Sequence, residues 1–450
     1  MLKRLLKYLP TSRSARKAQI IPRENHPISR KHISPGALKI MKRLHEGGHE
    51  GYLVGGGVRD LLLGEHPKDF DIATDATPEQ VKRLFRGARI IGRRFRIVHV
   101  RMGREIIEVT TFRAHHHQAN HQKEAAQSEQ GMLLRDNVYG DLPSDAARRD
   151  FTINALYYTT NGFAIHDYAG GVKDIKRRLI RMIGDPTTRY KEDPVRMLRA
   201  VRFAAKLGFT IEPNTAKPIP QLADLLRQVS AARLFEEVLK LFMAGSATAT
   251  FTQLREYGLL AHLFPGTDAC LRQGDLLGSR LIEQAMLNTD KRIRNDKRVT
   301  PAFIYAALLW PALIKETKKL EAKKVPNVSA QQQAAQAVIN QQLARTSIPK
   351  RFLIPMREIW DLQHRLPRRQ GKRAERLMEH PRFRAAYDFV LLREEAGEDL
   401  GGLGHWWTHF QEANESERQQ MLSKLEGKRG GGKPRRRRRR KPANANGASA

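Results

Sequence analysis

The sequence predicts an α+β protein: an N-terminal head with a small mixed sheet and helices, followed by an all-helical neck and body. Two observations lead there. Strand-like and helical segments alternate from Pro35 to about Arg177, and no convincing strand signal appears after Arg177. The chain has 450 residues, more than one ordinary core holds, so two or three domains are expected.

Residues 1–30 are basic and polar, with Pro10, Pro22 and Pro27, and are expected to form a disordered arm. Leu38, Met41 and Leu44 recur at helical spacing over Pro35 to Glu46, and Gly47-Gly48 ends that helix. Tyr52-Leu53-Val54 reads as a buried strand, Val58 to Leu63 as a helix, Phe70 to Ala73 as a second strand and Pro78 to Phe85 as a helix. Arg96–Met102 and Glu105–Phe112 form a hairpin around Gly103. Residues 114–131, rich in His, Gln and Asn, read as a mobile loop; His115, His116 and His117 are adjacent and cannot share one ligand face. Helices then run through Pro194–Leu207, Ala232–Met243 and Thr250–Tyr257, with more in the 300s. Lys428 to Ala450 holds Gly430-Gly431-Gly432 and the basic run Arg435 to Lys441, and reads as a disordered tail. The expected division is arm 1–30, catalytic head 31–182, helical neck 183–262, helical body with an arginine-rich region 263–425, and tail 426–450.

Lys plus Arg number 81 against 47 acids, a formal net charge of +34. Such a charge draws a protein to polyanions, nucleic acid first and an anionic membrane surface second. The single cysteine, Cys270, excludes an intrachain disulfide and fits a reducing cytosol, so a cytoplasmic location is expected. The longest apolar run, Phe303 to Ile314, is interrupted by Pro311 and falls short of the ~20 residues that span a bilayer. Met1 to Pro10 lacks the apolar core and cleavage site of a signal peptide.

Four constellations carry chemistry. Gly55-Gly56-Gly57-Val58-Arg59-Asp60 ends a strand and opens a helix. Gly55 and Gly56 let backbone N–H groups approach a phosphate, and Arg59 in the first turn can fork onto a triphosphate. Turns of this kind are common, and this one has neither the spacing of a dinucleotide site nor that of a P-loop. Lys68-Asp69-Phe70-Asp71 puts two carboxylates two residues apart. On a strand they project to one side, about 6–7 Å apart. Acids so crowded repel unless cations sit between them, as in two-metal catalysis.

Two metals want a third carboxylate. Glu108, in a neighbouring strand, and Asp150, in Arg148-Arg149-Asp150-Phe151-Thr152-Ile153-Asn154, are both candidates, and the sequence does not choose between them. Arg148 and Arg149 suit triphosphate and ribose contacts. The last constellation runs from Glu192 through Asp193 and Pro194 to Arg202. Asp193 suits an N-cap and Pro194 the first helical position. Arg196, Arg199, Arg202 and Lys206 form a basic face, and Val195, Leu198, Val201 and Ala205 the core face. Asp193 and an arginine near the helix start can present an acceptor and donors to a base edge.

In this order, the four constellations resemble the class II branch of the DNA polymerase beta-like nucleotidyltransferases, which contains bacterial poly(A) polymerases and CCA-adding enzymes. The resemblance covers roughly residues 35–265. Leu53 to Thr74 fits the catalytic motif, Arg148 to Asn154 the second, Asp167, Gly170, Gly171 and Asp174 a hinge motif, and Glu192 to Arg199 the nucleotide-recognition motif. Ile91 to Val100 resembles the stretch that favours poly(A) polymerases over CCA-adding enzymes. Pro367 to Phe389, with its Arg368-Arg369-Gln370-Gly371-Lys372-Arg373 run, resembles the arginine-rich C-terminal region of the same family.

The resemblance implies template-independent addition of AMP from ATP to RNA 3′ ends, making poly(A) tails that promote RNA turnover. It implies Asp69, Asp71 and Asp150 as catalytic acids. Asp69 and Asp71 would hold Mg²⁺ (two ions, with Mn²⁺ as a substitute), with Glu108 as a rival for the third position. Gly55, Gly56, Arg59, Arg148, Arg149, Asn154, Asp193, Arg196 and Arg199 would bind the nucleotide. RNA would be held mainly through its phosphates. RNA-decay proteins are candidate partners, and a monomer is expected. The alternatives are CCA addition to tRNA and a non-catalytic RNA-binding protein. Trp406 and Trp407 are expected to be core rather than base-stacking platforms.

Overall fold

The computed structural model describes residues 17–92, 96–114, 125–127, 133–136 and 138–427. In the head, β1 (Gln19–Ile21), α1 (Pro35–Glu46), β2 (Gly51–Val54), α2 (Gly56–Leu62), β3 (Asp71–Thr74), α3 (Pro78–Leu84), β4 (Ala88–Ile91), β5 (Ile97–Met102) and β6 (Glu105–Thr111) follow in turn. Then come the ribbon β7 (Ala125–Gln127) and β8 (Leu133–Asp136), α4 (Leu142–Arg148), β9 (Leu156–Tyr158), β10 (Ile165–Asp167), α5 (Gly171–Arg177) and β11 (Leu179–Ile180).

Eight strands form one sheet in the order β1-β10-β9-β2-β3-β6-β5-β4, in which only β3 and β6 run parallel. Alternation along the strands gives the sheet two faces. Leu53, Ile72, Val98 and Val109 join the main core with Ile40, Met41 and Leu44 of α1. Tyr52, Val54, Ala73 and Tyr157 join a smaller cluster beneath Leu142 and Ala146 of α4. α1 starts where expected because the Ser34 hydroxyl accepts from the Ala37 N–H and Pro35 occupies the first turn.

The neck opens with α6 (Pro186–Glu192), α7 (Val195–Leu207) and β12 (Thr210–Ile211), then α8 (Pro213–Ala216), α9 (Ile219–Leu222), α10 (Ala231–Phe242), α11 (Ala247–Glu256) and α12 (Leu260–Leu263). Next are α13 (Pro265–Arg272), α14 (Leu276–Arg294), α15 (Pro301–Ala322), α16 (Asn327–Leu343) and α17 (Lys350–Arg365). Last are α18 (Arg373–Met378), α19 (Phe383–Glu395), α20 (Leu403–Glu412) and α21 (Glu415–Gly427). The main core runs without a break from the head into these helices, and a separate cluster around Leu366, Phe383, Trp407 and Phe410 holds α18 to α20. Trp407 is fully buried and its indole N–H donates to the Leu366 carbonyl, whereas Trp406 is partly buried, stacked on Phe410. No described helix is long and apolar enough to cross a membrane.

Four expectations are corrected. Residues 17–30 are not a disordered arm: β1 pairs with β10, and Ile21 and Ile28 are buried. β10 would otherwise expose an open edge, and the isoleucines supply an apolar anchor within a basic stretch. Residues 1–16 lie outside the described residues. The neck is not wholly helical, because β12 pairs in parallel with β11 and ties it to the head. Asp69 precedes β3 instead of sitting on it; the strand's partner β2 stops at Val54, where the chain turns into α2, so pairing ends at Asp71. Finally, 125–127 pair with 133–136, while the rest of the expected 114–131 loop from 115 on, and the tail from 428, lie outside the described residues.

Candidate active site

A cleft of about 1170 Å³ separates the head from α7 and α10. Gly55, Gly56, Arg59, Asp69, Asp71, Arg149, Asp150, Asn154, Asp193, Arg196 and Arg199 all line it, together with Arg202, Arg233 and Glu237. Glu108 and Arg148 lie outside this lining.

The strand-to-helix turn needs its first glycine. Gly55 has φ +64°, and a Cβ there would stand 3.3 Å from the Arg149 guanidinium. Arg59 behaves differently from its expected role. It is 3% exposed, donates from Nε to Asp60 at 2.8 Å and from Nη1 to the Asn154 amide oxygen at 2.7 Å. It therefore ties α2 to the turn at 152–154 rather than reaching outward.

Asp71 opens β3 and lies directly opposite Glu108 on the parallel strand β6. Burial, then the neighbouring charge of Glu108, raises the Asp71 acid to about 6; Arg149 counters and Asp69 adds to the rise. Glu108 also touches His99 of β5, Nε2 to Oε1 at 3.3 Å.

Asp150 has other partners. Its Oδ2 receives the Arg199 fork, with Nε at 2.7 Å and Nη2 at 2.6 Å, and its Oδ1 accepts from the Asn154 amide at 3.1 Å and the Phe151 N–H at 2.8 Å. Burial pushes its pKa up, but Arg199, Asn154 and the Phe151 N–H outweigh burial and hold the acid at about 2. Asp150 is the counter-ion of a neck arginine.

Arg149 is positioned by two groups that sequence reasoning missed. Asp145 accepts from its Nη2 and Nε at 3.2 Å each, and the Tyr157 hydroxyl accepts from Nε at 2.8 Å and donates to Asp145 at 2.7 Å. The signal was there in part: Asp145 in α4 and Arg149, the residue that caps its end, stand four apart. Arg148 instead donates to the Ala114 carbonyl, and burial, then repulsion from Arg113, Arg189 and Arg196, lowers its pKa to about 9. On the neck side, Asp193 accepts from Arg233 of α10 at 2.7 Å and from the Val195 N–H at 3.3 Å. Arg196 donates to Glu192 at 2.9 Å and to the Arg189 carbonyl at 2.7 Å. Arg233 lies forty residues from Asp193, and no spacing rule could have joined them.

A glycine turn, crowded carboxylates at a sheet end and an arginine-lined neck across a cleft define a nucleotidyltransferase. Family models match in the order of the chain: "Poly A polymerase head domain" at 51–181, "Probable RNA and SrmB- binding site of polymerase A" at 208–271, and "Polymerase A arginine-rich C-terminus" at 323–442. Poly(A) polymerase I of Salmonella typhimurium is 52% identical over 412 residues, covering 90% of this chain and 89% of that one. The CCA-adding enzyme of Bacillus subtilis is 40% identical over 224 residues, 49% of this chain and 54% of that one. The solved structure of the Bacillus stearothermophilus CCA-adding enzyme with CTP superposes with a TM-score of 0.56 at 27% identity, covering 87% of this chain and 84% of that one. The chain belongs to the bacterial poly(A) polymerase I family and is a polynucleotide adenylyltransferase. CCA-adding enzymes are more distant relatives.

Proposed function

We propose that the cleft extends RNA 3′ ends with AMP from ATP, and that Asp69, Asp71 and Glu108 are the acids of its metal site. The observation that supports this is the pairing of Asp71 with Glu108 on adjacent parallel strands, with Asp71 raised by that neighbour as well as by burial. Carboxylate oxygens suit a hard cation such as Mg²⁺, with Mn²⁺ as a substitute. Among the described residues no three His, Cys, Asp or Glu side chains already converge on one point. Asp69, Asp71 and Glu108 would hold the ions, which would lower the pKa of the attacking hydroxyl and stabilise the leaving oxygens.

The 3′-hydroxyl attacks the α-phosphate in line, and pyrophosphate leaves. Gly55 and Gly56 allow the backbone to approach the phosphates, and Arg149, held by Asp145 and Tyr157, offers fixed positive charge beside them. Asp150 acts through Arg199 instead of as a metal ligand. Asp193, fixed by Arg233, and Arg196 read the nucleobase. The basic body and tail hold RNA through phosphates, RNA-decay proteins are partners, and the enzyme works as a cytoplasmic monomer. The test is labelled RNA with Mg²⁺ and each nucleotide separately. Extension with ATP alone supports the reading; CTP incorporation that stops after a fixed count, or no extension, rejects it.

A further inference from the structure

The stretch Ile91 to Val100 touches the candidate site at His99. Its residues Ile97 to Val100 lie in β5, and the register there is informative. Arg89 of β4 is opposite His99, His99 is opposite Glu108, and Glu108 is opposite Asp71. Residues directly opposed across a ladder project to the same face. Arg89, His99, Glu108 and Asp71 therefore form one polar row on one face, running from the sheet edge to the cleft. Val98 and Val100 point the other way into the core and fix the register of β5.

Within this row the His99 Nε2 stands 3.3 Å from Glu108 Oε1. A carboxylate only accepts, so Nε2 carries the hydrogen. The contact engages one oxygen and leaves Oε2 outside it. Glu108 is 48% exposed in its side chain, and its one hydrogen-bonding side-chain partner among the described residues is His99. A long side chain so exposed samples several rotamers unless a partner selects one.

We infer that His99 is a positioning residue of the metal site: it fixes the Glu108 carboxylate so that its negative charge stands beside Asp71. The inference rests on the reading of Asp69, Asp71 and Glu108 as cation-holding acids. It also gives the described part of this stretch a physical role, since His99 of β5 contacts Glu108. Hydrogen-bond partners of metal-ligating groups contribute about 10- to 100-fold to affinity or activity.

The test uses the full chain with Mn²⁺ as a spectroscopic probe. Mn²⁺ binding is followed by electron paramagnetic resonance without nucleotide, and extension is measured against Mg²⁺ concentration. His99→Ala should weaken Mn²⁺ binding and raise the Mg²⁺ needed for half-maximal extension by about 10-fold, with little change in rate at saturating Mg²⁺. His99→Gln, whose amide can donate to the same oxygen, should recover most of the loss. RNA affinity and thermal midpoint should not move. Parent-like Mn²⁺ binding by His99→Ala overturns the inference, as does His99→Gln failing equally. Glu108→Gln separates the two readings: if it binds Mn²⁺ like the parent, the metal-site assignment itself fails.

Discussion

Arg199 of α7 grips Asp150 through two nitrogens, at 2.6 and 2.7 Å, and so fastens the neck to the segment that follows α4 in the head. Both residues line the cleft, and the Asp150 carboxylate is further held by Asn154, the residue that also receives Arg59. One fork thus connects the glycine turn, the head and α7 of the neck.

Removing one side of this pair should be costly. Arg199→Ala leaves a carboxylate 10% exposed without its cation, and losses of about 3–5 kcal/mol are typical of such buried pairs. The folded acid is held at about 2, below its ordinary 3.8. Its contribution is therefore complete above the unfolded value and is lost as pH falls toward 2. Thermal midpoints measured between pH 7 and 2.5 should show the parent losing this increment in acid and Asp150→Asn lacking it. Equal midpoints for parent and Arg199→Ala at pH 7 would remove the clamp.

Asp69→Asn and Asp71→Asn should each lower extension by orders of magnitude while RNA affinity stays nearly unchanged. The acids line the cleft, and none of its lining residues comes from the body helices after Ala244. Near-normal extension by both variants, measured on a sequencing gel, would end the metal assignment.

Base choice should depend on Asp193 and on its holder. Asp193→Ala removes an acceptor from the cleft, a loss on the order of 1–3 kcal/mol of discrimination. Arg233→Ala should produce a smaller shift of the same kind, because Asp193 then loses its fixed orientation. The readout is the ratio of ATP to CTP and GTP use. An unchanged ratio in Asp193→Ala counts against the assignment.

The basic segment Lys428 to Lys441 should grip RNA without reading sequence. Truncation after Gly427 should shorten the product made per encounter at moderate salt and flatten the salt dependence of binding. The single-turnover rate at saturating RNA should stay close to that of the full chain. Equal affinity and equal salt slope would assign the tail another partner.

The sequence alone determined what is local. Helix α1 follows from Ser34, Pro35 and an apolar stripe; the turn at Gly55 follows from a glycine between a strand and a helix; Asp69 and Asp71 declared themselves by proximity. The order of the motifs sufficed for the family. Tertiary structure decided what depends on strand order and on helices meeting across the cleft. Pairing β3 with β6 put Glu108 beside Asp71, and packing α7 against the head gave Asp150 to Arg199. Likewise Arg233 reached Asp193 from forty residues away, and Ile21 and Ile28 turned part of a basic arm into a sheet edge. Local spacing fixes which face of an element a side chain occupies, whereas its partner is set by long-range pairing, which hydrophobic burial selects over the whole chain.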